Sequence, residues 1–317
     1  MSLLPLVIVN PASAQGSTRD AWPGLASDLR AHFGPFACAF TEKSGDGRGL
    51  AAQAAREGRP LIIACGGDGT INEVANGILE SGVDAELGIL PSGTGGDFRR
   101  TLHISTHPAT AAAALRTGRT RRIDVGRVTF LNHQGESETR HFLGVASFGM
   151  SGKVIERVKE GGTDWLPALR SGTLSGRLSF ALATLQTTLS NINTTVFVKV
   201  DDRAERRLTV ANLCVANARY FGGGMKIAPQ AKLNDGRLNI VVVGDMSALE
   251  ILANAHRLYL GKHLSLEQVQ HTLATRLEAR PAKKDEEITI EIDGELPGHL
   301  PAAFEILPQA LRVRCPL

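Results

Sequence analysis

A glycine-rich loop with an acid inside it is the stretch of the sequence best suited to chemistry. It reads Cys65-Gly66-Gly67-Asp68-Gly69-Thr70-Ile71-Asn72-Glu73, follows a buried strand pattern and opens a helix pattern. Glycines let a backbone approach a phosphate closely, and a helix N-terminus presents free N–H groups and the positive end of its dipole. We predict a phosphate-binding loop. The alternative is a structural turn before a helix capped by Thr70, with Glu73 as its capping-box partner.

Asp68 gives this loop a second chemical property. A carboxylate among phosphate-binding amides would repel the phosphate unless a cation lay between them. Asp68 therefore predicts either a Mg²⁺ site or a base for an attacking hydroxyl group. The loop is not a Walker A sequence, because no Gly-Lys-Ser/Thr follows it.

A second loop, at residues 87–98, has the same arrangement of strand, proline break, small residues and acid. Its acid is Asp97, and a further acid, Asp124, stands at the start of a strand pattern. Three acids at the ends of elements could share one hydrated metal ion. For each acid alone, an exposed carboxylate or a helix cap is the alternative.

The elements around these loops predict two domains, since 317 residues exceed one ordinary core. In residues 1–126, strand patterns alternate with helix patterns, which predicts a parallel sheet with helices on both faces. In residues 127–302, β-rich segments between turn signals predict a mostly antiparallel β-sandwich. We expect residues 303–317 to return to the first domain.

Three of the predicted sandwich strands are long, and two helix patterns interrupt the series. The long strands are residues 140–146, 207–216 and 271–279, and the helices are near residues 175–190 and 247–260. These assignments rest on β-branched and apolar runs bounded by turn residues.

Composition excludes several classes of protein. Apolar residues make up 43 % and charged residues 21 % of the chain, which indicates a globular protein. A net charge of +3 is far from that of a dedicated nucleic-acid binder, so we expect no nucleic-acid partner. The four cysteines form no CxxC pair, which favours free thiols. We expect neither a transmembrane helix nor a signal peptide.

With these motifs, the chain resembles the bacterial diacylglycerol-kinase-like lipid kinases, relatives of sphingosine and ceramide kinases. The resemblance covers nearly the whole chain, and it looks closest to members associated with phosphatidylglycerol or diacylglycerol phosphorylation. The glycine–acid loop is shared with NAD kinases, whereas the later blocks are more specific. These blocks are residues 215–224, Ala228-Pro229, Asn234-Asp235-Gly236, Asp293-Gly294-Glu295 and residues 305–311.

The resemblance implies an NAD-kinase-like, Rossmann-like α/β domain followed by the β-sandwich. It implies ATP and Mg²⁺ as cofactors, bound in the cleft between the domains, and transfer of the γ-phosphate to a hydroxyl group of a membrane lipid. Asp68 and Glu295 are the implied catalytic residues, and either could be the base. The implied nucleotide-binding residues are Asn10, Thr41, Gly66, Gly67, Gly69, Thr70, Glu73, Ser92, Gly93 and Thr94.

Two metal sites follow from the same resemblance. Asp68, Asp97 and Asp124 would organise magnesium and its waters. A separate structural metal would bind the carboxylate of Asp235 and the carbonyl groups of Lys232 and Arg237. An ordinary Asn-Asp-Gly hairpin turn explains the composition of that second segment equally well.

A lipid substrate implies contact with a membrane. Residues 165–189 combine an apolar stripe with two arginines, Arg170 and Arg177, and could lie at a membrane interface. A core-facing helix of the second domain is the alternative. We expect a cytoplasmic protein, peripheral at the inner membrane face, and the sequence leaves a homodimer open.

Some positions depart from the family pattern. Gly96 stands where the family often has Asn, and Gly144 and Ser151 replace Asn and Asp of many members. Gln15 stands where a basic residue is common, and Arg19 is the nearest alternative. Two other functions stay open. The shared glycine–acid loop allows an NAD-kinase-like enzyme with a soluble substrate, and the departures at Gly96, Gly144 and Ser151 allow a non-catalytic protein that binds lipid or nucleotide.

Overall fold

The computed structural model describes residues 3–92, 96–152, 155, 193–283 and 285–317. The chain forms two compact units. Met1–Val125 and Pro308–Leu317 make up the first, and Gly126–Leu307 the second.

Within the described residues, no helix is both long and apolar enough to cross a membrane. The helix expected near residues 175–190 and the membrane-facing stripe expected at residues 165–189 lie outside the described residues. All four cysteines are free: Cys38 is exposed, and Cys65, Cys214 and Cys315 are buried.

The first unit contains a parallel sheet built from short apolar strands. These strands lie in the spatial order β2-β1-β3-β4, and the end of the last strand, β15, pairs in parallel with the outer side of β4. Their bounds are Leu6–Val9 (β1), Ala37–Phe40 (β2), Leu61–Gly66 (β3), Glu86–Pro91 (β4) and Glu295–Cys315 (β15).

Helices separate these strands and pack in pairs. Helix α1 contacts α5, and α2 contacts α3. The second contact is close, because a Cβ atom on Gly77 would lie 2.2 Å from the carbonyl oxygen of Arg48. Valines and isoleucines of β1 and β3 pack with leucines and alanines of α1 and α5. The helices span Ser17–His32 (α1), Asp46–Arg56 (α2), Asp68–Ser81 (α3), Asp97–Thr101 (α4) and Pro108–Thr117 (α5).

The second unit is built from antiparallel strands. One series runs β12-β11-β10-β7-β14-β15, another runs β9-β8-β13-β15, and β6 pairs with β5. Buried aromatic and aliphatic side chains, including those of Phe142, Phe148 and Phe304, form its core. The strands are Arg119–Asn132 (β5), Ser137–Phe142 (β6), Val145–Gly149 (β7), Thr194–Val200 (β8), Arg206–Val210 (β9), Asn212–Ala216 (β10), Leu238–Val243 (β11), Val269–Ala274 (β12), Arg276–Pro281 (β13) and Thr289–Ile292 (β14).

Helix α6, at Ala248–Leu260, interrupts this strand series. It begins with a capping box, in which the Ser247 hydroxyl accepts a hydrogen bond from the Glu250 N–H, and the Glu250 side chain accepts one from Ser247. A short 3₁₀ turn, His263–Ser265, follows the helix. The predicted class, an α/β domain followed by a mostly antiparallel β-sandwich, is confirmed.

The three long strands predicted in the second domain are wrong, because each is two strands. Residues 140–146 break at Leu143-Gly144, whose N–H groups bind the carboxylate of Asp293. Residues 271–279 break at Thr275, whose N–H group binds Asp201. Residues 207–216 break at Ala211, since β9 pairs with β8 whereas β10 pairs with β7 and β11.

A buried ion pair fixes the return of the last strand to the first unit. The Glu86 side chain is 3 % exposed, and the Arg314 guanidinium donates to both its oxygens at 2.8 and 2.6 Å. Thr120 donates a further hydrogen bond at 2.7 Å. Burial alone would raise the pKa of the Glu86 carboxyl, but the hydrogen bonds from Arg314 and Thr120 hold that pKa below its usual value.

We expect Arg314→Ala to lower the free energy of unfolding by about 3 kcal/mol, because it leaves a buried carboxylate without its cation. Arg312→Ala is the matched control on the same strand, because Arg312 acts on Glu86 through its charge alone and donates its hydrogen bond to the Asp84 carbonyl oxygen. Arg312 contacts Asp84 at 3.6 Å, and the Asp84 side chain is 55 % exposed, so the change should cost about 1 kcal/mol or less. Urea denaturation would measure both values, and equal losses would contradict the role given to the buried pair.

Candidate functional site

The sequence-predicted binding residues follow the carboxyl ends of neighbouring parallel strands. Asn10 follows β1, Thr41 follows β2, Gly66 ends β3 and Ser92 follows β4. The chain passes from β1 to β2 on one side and then to β3 on the other, so the strand order reverses between β1 and β3. Ligands of open α/β sheets bind at such a switch point. The fold therefore gathers these residues at the edge where open α/β sheets bind their ligands.

Hydrogen bonds join the first strand end to the glycine loop. The Asn10 side chain donates to the Thr70 hydroxyl at 3.1 Å, and its backbone N–H donates to the Cys65 carbonyl oxygen at 3.0 Å. A Cβ atom on Gly66 would lie 2.4 Å from the Thr70 hydroxyl oxygen and 2.9 Å from that of Ser13. Glycine at position 66 is therefore required by the protein's own packing.

The other two strand ends are tied to the same edge. The Ser92 N–H donates to the Gly66 carbonyl oxygen at 3.1 Å, and the Ser92 hydroxyl lies 2.7 Å from the buried hydroxyl of Thr18. The Thr41 N–H donates to the Val9 carbonyl oxygen at 2.9 Å. Sequence reasoning missed Thr18, which carries no motif and sits inside α1. Gly93 and Thr94 lie outside the described residues.

Gly67 and Gly69 differ from Gly66 because the protein's own packing does not require them. A Cβ atom at either position would meet no atom of the described residues within 4 Å, and neither glycine has a positive φ. Gly67 is the N-cap of α3 and offers the helix no side-chain cap. Among the described residues, the N-terminus of α3 therefore borders open space at Gly67 and Gly69. This is the space that an anionic group would need.

The predicted capping box of α3 is wrong. The helix begins at Asp68 with Gly67 as N-cap, so Thr70 lies within the first turn, where it is buried and binds Asn10. The Glu73 carboxylate instead accepts hydrogen bonds from the N–H groups of Gly45 and Gly47, at 2.8 and 2.9 Å. Glu73 therefore caps the neighbouring helix α2. Its assignment to nucleotide binding stays a prediction.

Asp68 holds the second loop. Its carboxylate accepts three consecutive backbone N–H groups, from Gly96 at 3.0 Å, Asp97 at 2.8 Å and Phe98 at 3.1 Å. Asp68 is thus at the same time the first residue of α3 and the cap of α4. The sequence showed two separate glycine–acid loops, whereas the structure joins them through one carboxylate.

The other two predicted metal acids have partners of their own. The Asp97 carboxylate accepts a hydrogen bond from Arg100 at 2.5 Å. Asp124 is fully buried and accepts the Gln309 N–H at 2.8 Å. Within the described ranges, no three His, Cys, Asp or Glu side chains are grouped as a metal site. The shared site of Asp68, Asp97 and Asp124 stays a prediction.

Two carboxylates still fit a magnesium ion bound together with phosphate. Mg²⁺ is usually held by one or two carboxylates, water and substrate phosphates. Asp68 and Asp97 adjoin through the hydrogen bond between the Asp97 N–H and the Asp68 carboxylate. These two adjoining residues are candidates to hold such an ion, and the part of Asp124 stays a prediction.

The departures from the family pattern have local structural reasons. Gly96 has a φ of +94°, and a Cβ atom there would lie 2.6 Å from Nε of Arg99. The arginine side chain thus occupies the space beside the glycine. A Cβ atom on Gly144 would lie 2.6 Å from a carboxylate oxygen of Asp293. Ser151 is buried and bonded to Ser147 and Asn212.

The second unit carries Glu295 next to a tight turn. Asp293 and Gly294 have φ values of +47° and +90°, as a type I′ hairpin turn between β14 and β15 requires. The Asp293 carboxylate accepts the N–H groups of Leu143, Gly144 and Val145 at 2.8 to 3.0 Å. The Glu295 side chain is 50 % exposed and accepts a hydrogen bond from Arg140 at 3.1 Å.

The proposed structural-metal segment forms a turn before β11. The Asp235 carboxylate accepts the Arg237 N–H at 3.1 Å, and Gly236 has a positive φ. Lys232, Asp235 and Arg237 are exposed. A hairpin is wrong here, because the preceding segment is not a strand. The metal remains a prediction.

Comparison with known families matches both parts of the chain. Residues 5–128 match the diacylglycerol kinase catalytic domain. Residues 145–315 match the YegS C-terminal NAD kinase beta sandwich-like domain.

Curated relatives match over most of their length. A diacylglycerol kinase of Bacillus subtilis (strain 168) is 30 % identical over 87 % of this chain and 84 % of the relative. A diacylglycerol kinase of Staphylococcus carnosus (strain TM300) is 27 % identical over 98 % and 94 %.

Solved structures share the fold. A diacylglycerol kinase of Bacillus anthracis str. Sterne has a TM-score of 0.70 at 24 % identity, covering 98 % of this chain and 96 % of the other. Yeast NADH kinase has a TM-score of 0.51 at 9 % identity, covering 100 % of this chain and 84 % of the other. At these identities the likeness concerns the fold alone.

We expect Gly69→Ala to raise the KM for Mg-ATP at least tenfold, about 1.4 kcal/mol, because a methyl group would occupy the open space over the first turn of α3. Gly49→Ala in α2 is the matched control, since Gly49 is also helical and a Cβ atom there meets no atom within 4 Å. Both changes favour a helix, so neither should lower the melting temperature. Equal KM values in steady-state kinetics would contradict the assignment.

Proposed function

This chain belongs to the diacylglycerol kinase family, and we propose that it transfers the γ-phosphate of Mg-ATP to a hydroxyl group of a membrane lipid such as diacylglycerol or phosphatidylglycerol. The observation that carries the proposal is the open space over Gly67 and Gly69, at the N-terminus of α3 and at the switch point of the sheet. Phosphate groups bind at such helix ends.

In this proposal the backbone of the glycine loop binds the ATP phosphates. The first N–H groups of α3 would bind the phosphates, and the N-cap residue, Gly67, has no side chain to cap them. Asn10 and Thr70 hold the loop against β1 through their 3.1 Å hydrogen bond. Since phosphoryl transfer depends mainly on positioning and charge stabilisation, rigid placement of these amides is the main contribution of the first unit.

Asp68 has a positioning part in this proposal as well as a part in metal binding. With Asp97 it would hold Mg²⁺, which neutralises charge on the transferred phosphate. Its three amide bonds keep the second loop beside the first. Asp68→Ala would therefore remove two functions at once. A loss of activity in that variant would not tell them apart.

Glu295 is the base that we favour. The Glu295 carboxylate is half exposed and can meet a substrate hydroxyl, whereas the Asp68 carboxylate holds the second loop through three N–H groups. Arg140 orients it through the 3.1 Å contact. In the reaction, the lipid oxygen bonds to the γ-phosphorus, the bond from that phosphorus to the ADP oxygen breaks, and the hydroxyl proton passes to Glu295.

A radiolabelled transfer assay tests this function. Mixed micelles of diacylglycerol, phosphatidylglycerol, ceramide or sphingosine would be incubated with labelled Mg-ATP. Positioned general-base help is worth about 10²–10⁴-fold, so we expect Glu295→Gln to reduce kcat by that factor with little change in the KM for ATP. Glu287→Gln is the control, because Glu287 is 80 % exposed and should leave kcat unchanged.

Other outcomes of the assay select other functions. A nearly normal kcat in Glu295→Gln would reject Glu295 as the base. With NAD added as a further acceptor, label in NAD but in no lipid would select a soluble-substrate kinase. Intact ATP binding without transfer to any acceptor would select a non-catalytic binding protein.

We also propose that the protein contacts the membrane as a peripheral protein. Support comes from the end of α6, where the side chains of Tyr259 and Leu260 are 39 % and 58 % exposed. Arg257 and the exposed Lys262 lie beside them. Apolar side chains flanked by cations suit the interface of an anionic membrane.

We expect the double change Tyr259→Ser, Leu260→Ser to weaken binding to vesicles of phosphatidylglycerol and phosphatidylcholine at least tenfold, because each buried apolar side chain contributes about 1.5–3 kcal/mol. Co-sedimentation would measure this. Val83→Ser, at an apolar position that is 40 % exposed in the first unit, is the control. Unchanged binding of the double variant would remove this surface from the proposal.

A further inference from the structure

In the second unit, four buried polar side chains form a hydrogen-bonded chain next to the turn that carries Glu295. Glu291 on β14 is bonded to the Ser147 hydroxyl on β7, and Ser147 lies 2.8 Å from the Ser151 hydroxyl. Ser151 in turn lies 3.0 Å from Oδ1 of Asn212 on β10. All four side chains are less than a tenth exposed, so they depend on one another for hydrogen-bond partners.

The orientation of the Asn212 amide fixes one end of this chain. The backbone N–H of Ser151 donates to Oδ1 of Asn212 at 3.1 Å, and Nδ2 of Asn212 lies 3.1 Å from Sγ of Cys214. Turning the amide over would place an NH₂ group against the Ser151 N–H group. The atom that faces the Ser151 hydroxyl is therefore an oxygen, which can only accept.

The number of hydroxyl hydrogens in the chain determines the protonation of Glu291 at its other end. The chain contains three oxygen–oxygen contacts, Glu291 to Ser147, Ser147 to Ser151 and Ser151 to Asn212, but two hydroxyl hydrogens. Ser151 donates to Asn212, which leaves Ser147 to donate to Ser151. The contact between Ser147 and Glu291 needs a third hydrogen, and the Glu291 carboxyl group is its remaining source. With an ionised Glu291, one of the three contacts would be left without a hydrogen.

We propose that Glu291 is held as a neutral carboxylic acid, which donates to Ser147 and thereby positions the turn that carries Glu295. The other carboxyl oxygen of Glu291 accepts the Gly294 N–H at 2.6 Å, and Gly294 directly precedes Glu295. Glu291 is thus a positioning residue at the junction of the buried chain and the turn. Its effect on catalysis rests on the proposed function of Glu295, whereas its protonation does not.

The electrostatic surroundings of Glu291 agree with this assignment. The pKa of its carboxyl is raised to about 7: burial is the largest cause and the negative charge of Asp293 adds to it, against the lowering effect of the contacts with Ser147 and Gly294. Among the described residues, Cys214 on β10 also faces Glu291, and burial raises the pKa of that thiol, which therefore stays neutral. Asp293 is in turn engaged by three N–H groups.

The raised pKa of Glu291 makes the stability of the folded protein decrease as pH rises. The carboxyl group has a higher pKa in the folded protein than in the unfolded chain, so the folded form binds the proton more tightly. The stabilisation is fully present below the unfolded value of about 4.5, and it is lost as pH rises through about 7.

The variant Glu291→Gln tests the proposal. Its amide can accept from Gly294 and donate to Ser147, as the neutral acid does. We expect it to fold with the stability of the wild type at pH 5 and to be more stable than the wild type at pH 8, as measured by urea denaturation. Its kcat should remain within about twofold of the wild-type value at pH 6, and Glu291→Leu, which makes neither bond, should lose most of it.

The infrared spectrum provides a readout that needs no activity. At pH 6 the wild-type minus Glu291→Gln difference spectrum should contain the C=O band of a protonated carboxylic acid. A carboxylate band in its place, or equal stabilities of wild type and Glu291→Gln at pH 5 and pH 8, would overturn the proposal. If the lipid-kinase assay fails while the infrared band is present, the proposed function is rejected and the protonation of Glu291 stands.

Discussion

An aspartate carboxylate that accepts consecutive backbone N–H groups is the interaction on which both units depend. Asp68 binds the N–H groups of residues 96–98, and Asp293 binds those of residues 143–145. Asp201 does the same for Thr275 and Arg276. In each case a loop whose own amides would lack partners is held by one ionised side chain, and such charge-assisted hydrogen bonds are stronger than neutral ones. The glycines at positions 96 and 144 belong to this arrangement, because they let the backbone close around the carboxylate.

Local sequence patterns predicted most of the architecture, because they report on local chemistry. Apolar strands alternating with helix patterns indicated a parallel sheet, and the glycines after β3 indicated its binding edge. The same reasoning gave wrong helix caps and strand ends where these depend on residues distant in the sequence. Glu73 looked like a cap for its own helix, but it caps α2, whose N-terminus lies 26 residues or more away in sequence. The break at Leu143-Gly144 depends on a carboxylate about 150 residues further on, which no periodicity records.

Some residues of the candidate site could likewise be identified from the sequence, and others could not. Gly66 and Thr70 were found from the glycine-rich motif and Asn10 and Ser92 from the family resemblance, and the structure brings all four to one sheet edge. Asp124 also stood out in the sequence, yet it is fully buried and bonded to Gln309. An acid at the end of a strand has no pattern that distinguishes a ligand from a structural acceptor, so its surroundings decide. Glu291 is the opposite case, because nothing around it in the sequence marks a buried acid. Its proposed protonation follows from the hydroxyl and amide groups that surround it in the fold.

The course of the last strand bears on how the protein is made. The sheet of the first unit is completed by residues near the end of the chain, where Arg314 meets the buried carboxylate of Glu86. During synthesis Glu86 emerges from the ribosome more than two hundred residues before its cation. Until then its carboxylate must stay in water, which keeps the outer side of β4 open. The first unit therefore completes its sheet only after the second unit has been synthesised. A chain released before that point would have an exposed sheet edge that chaperones and proteases can recognise.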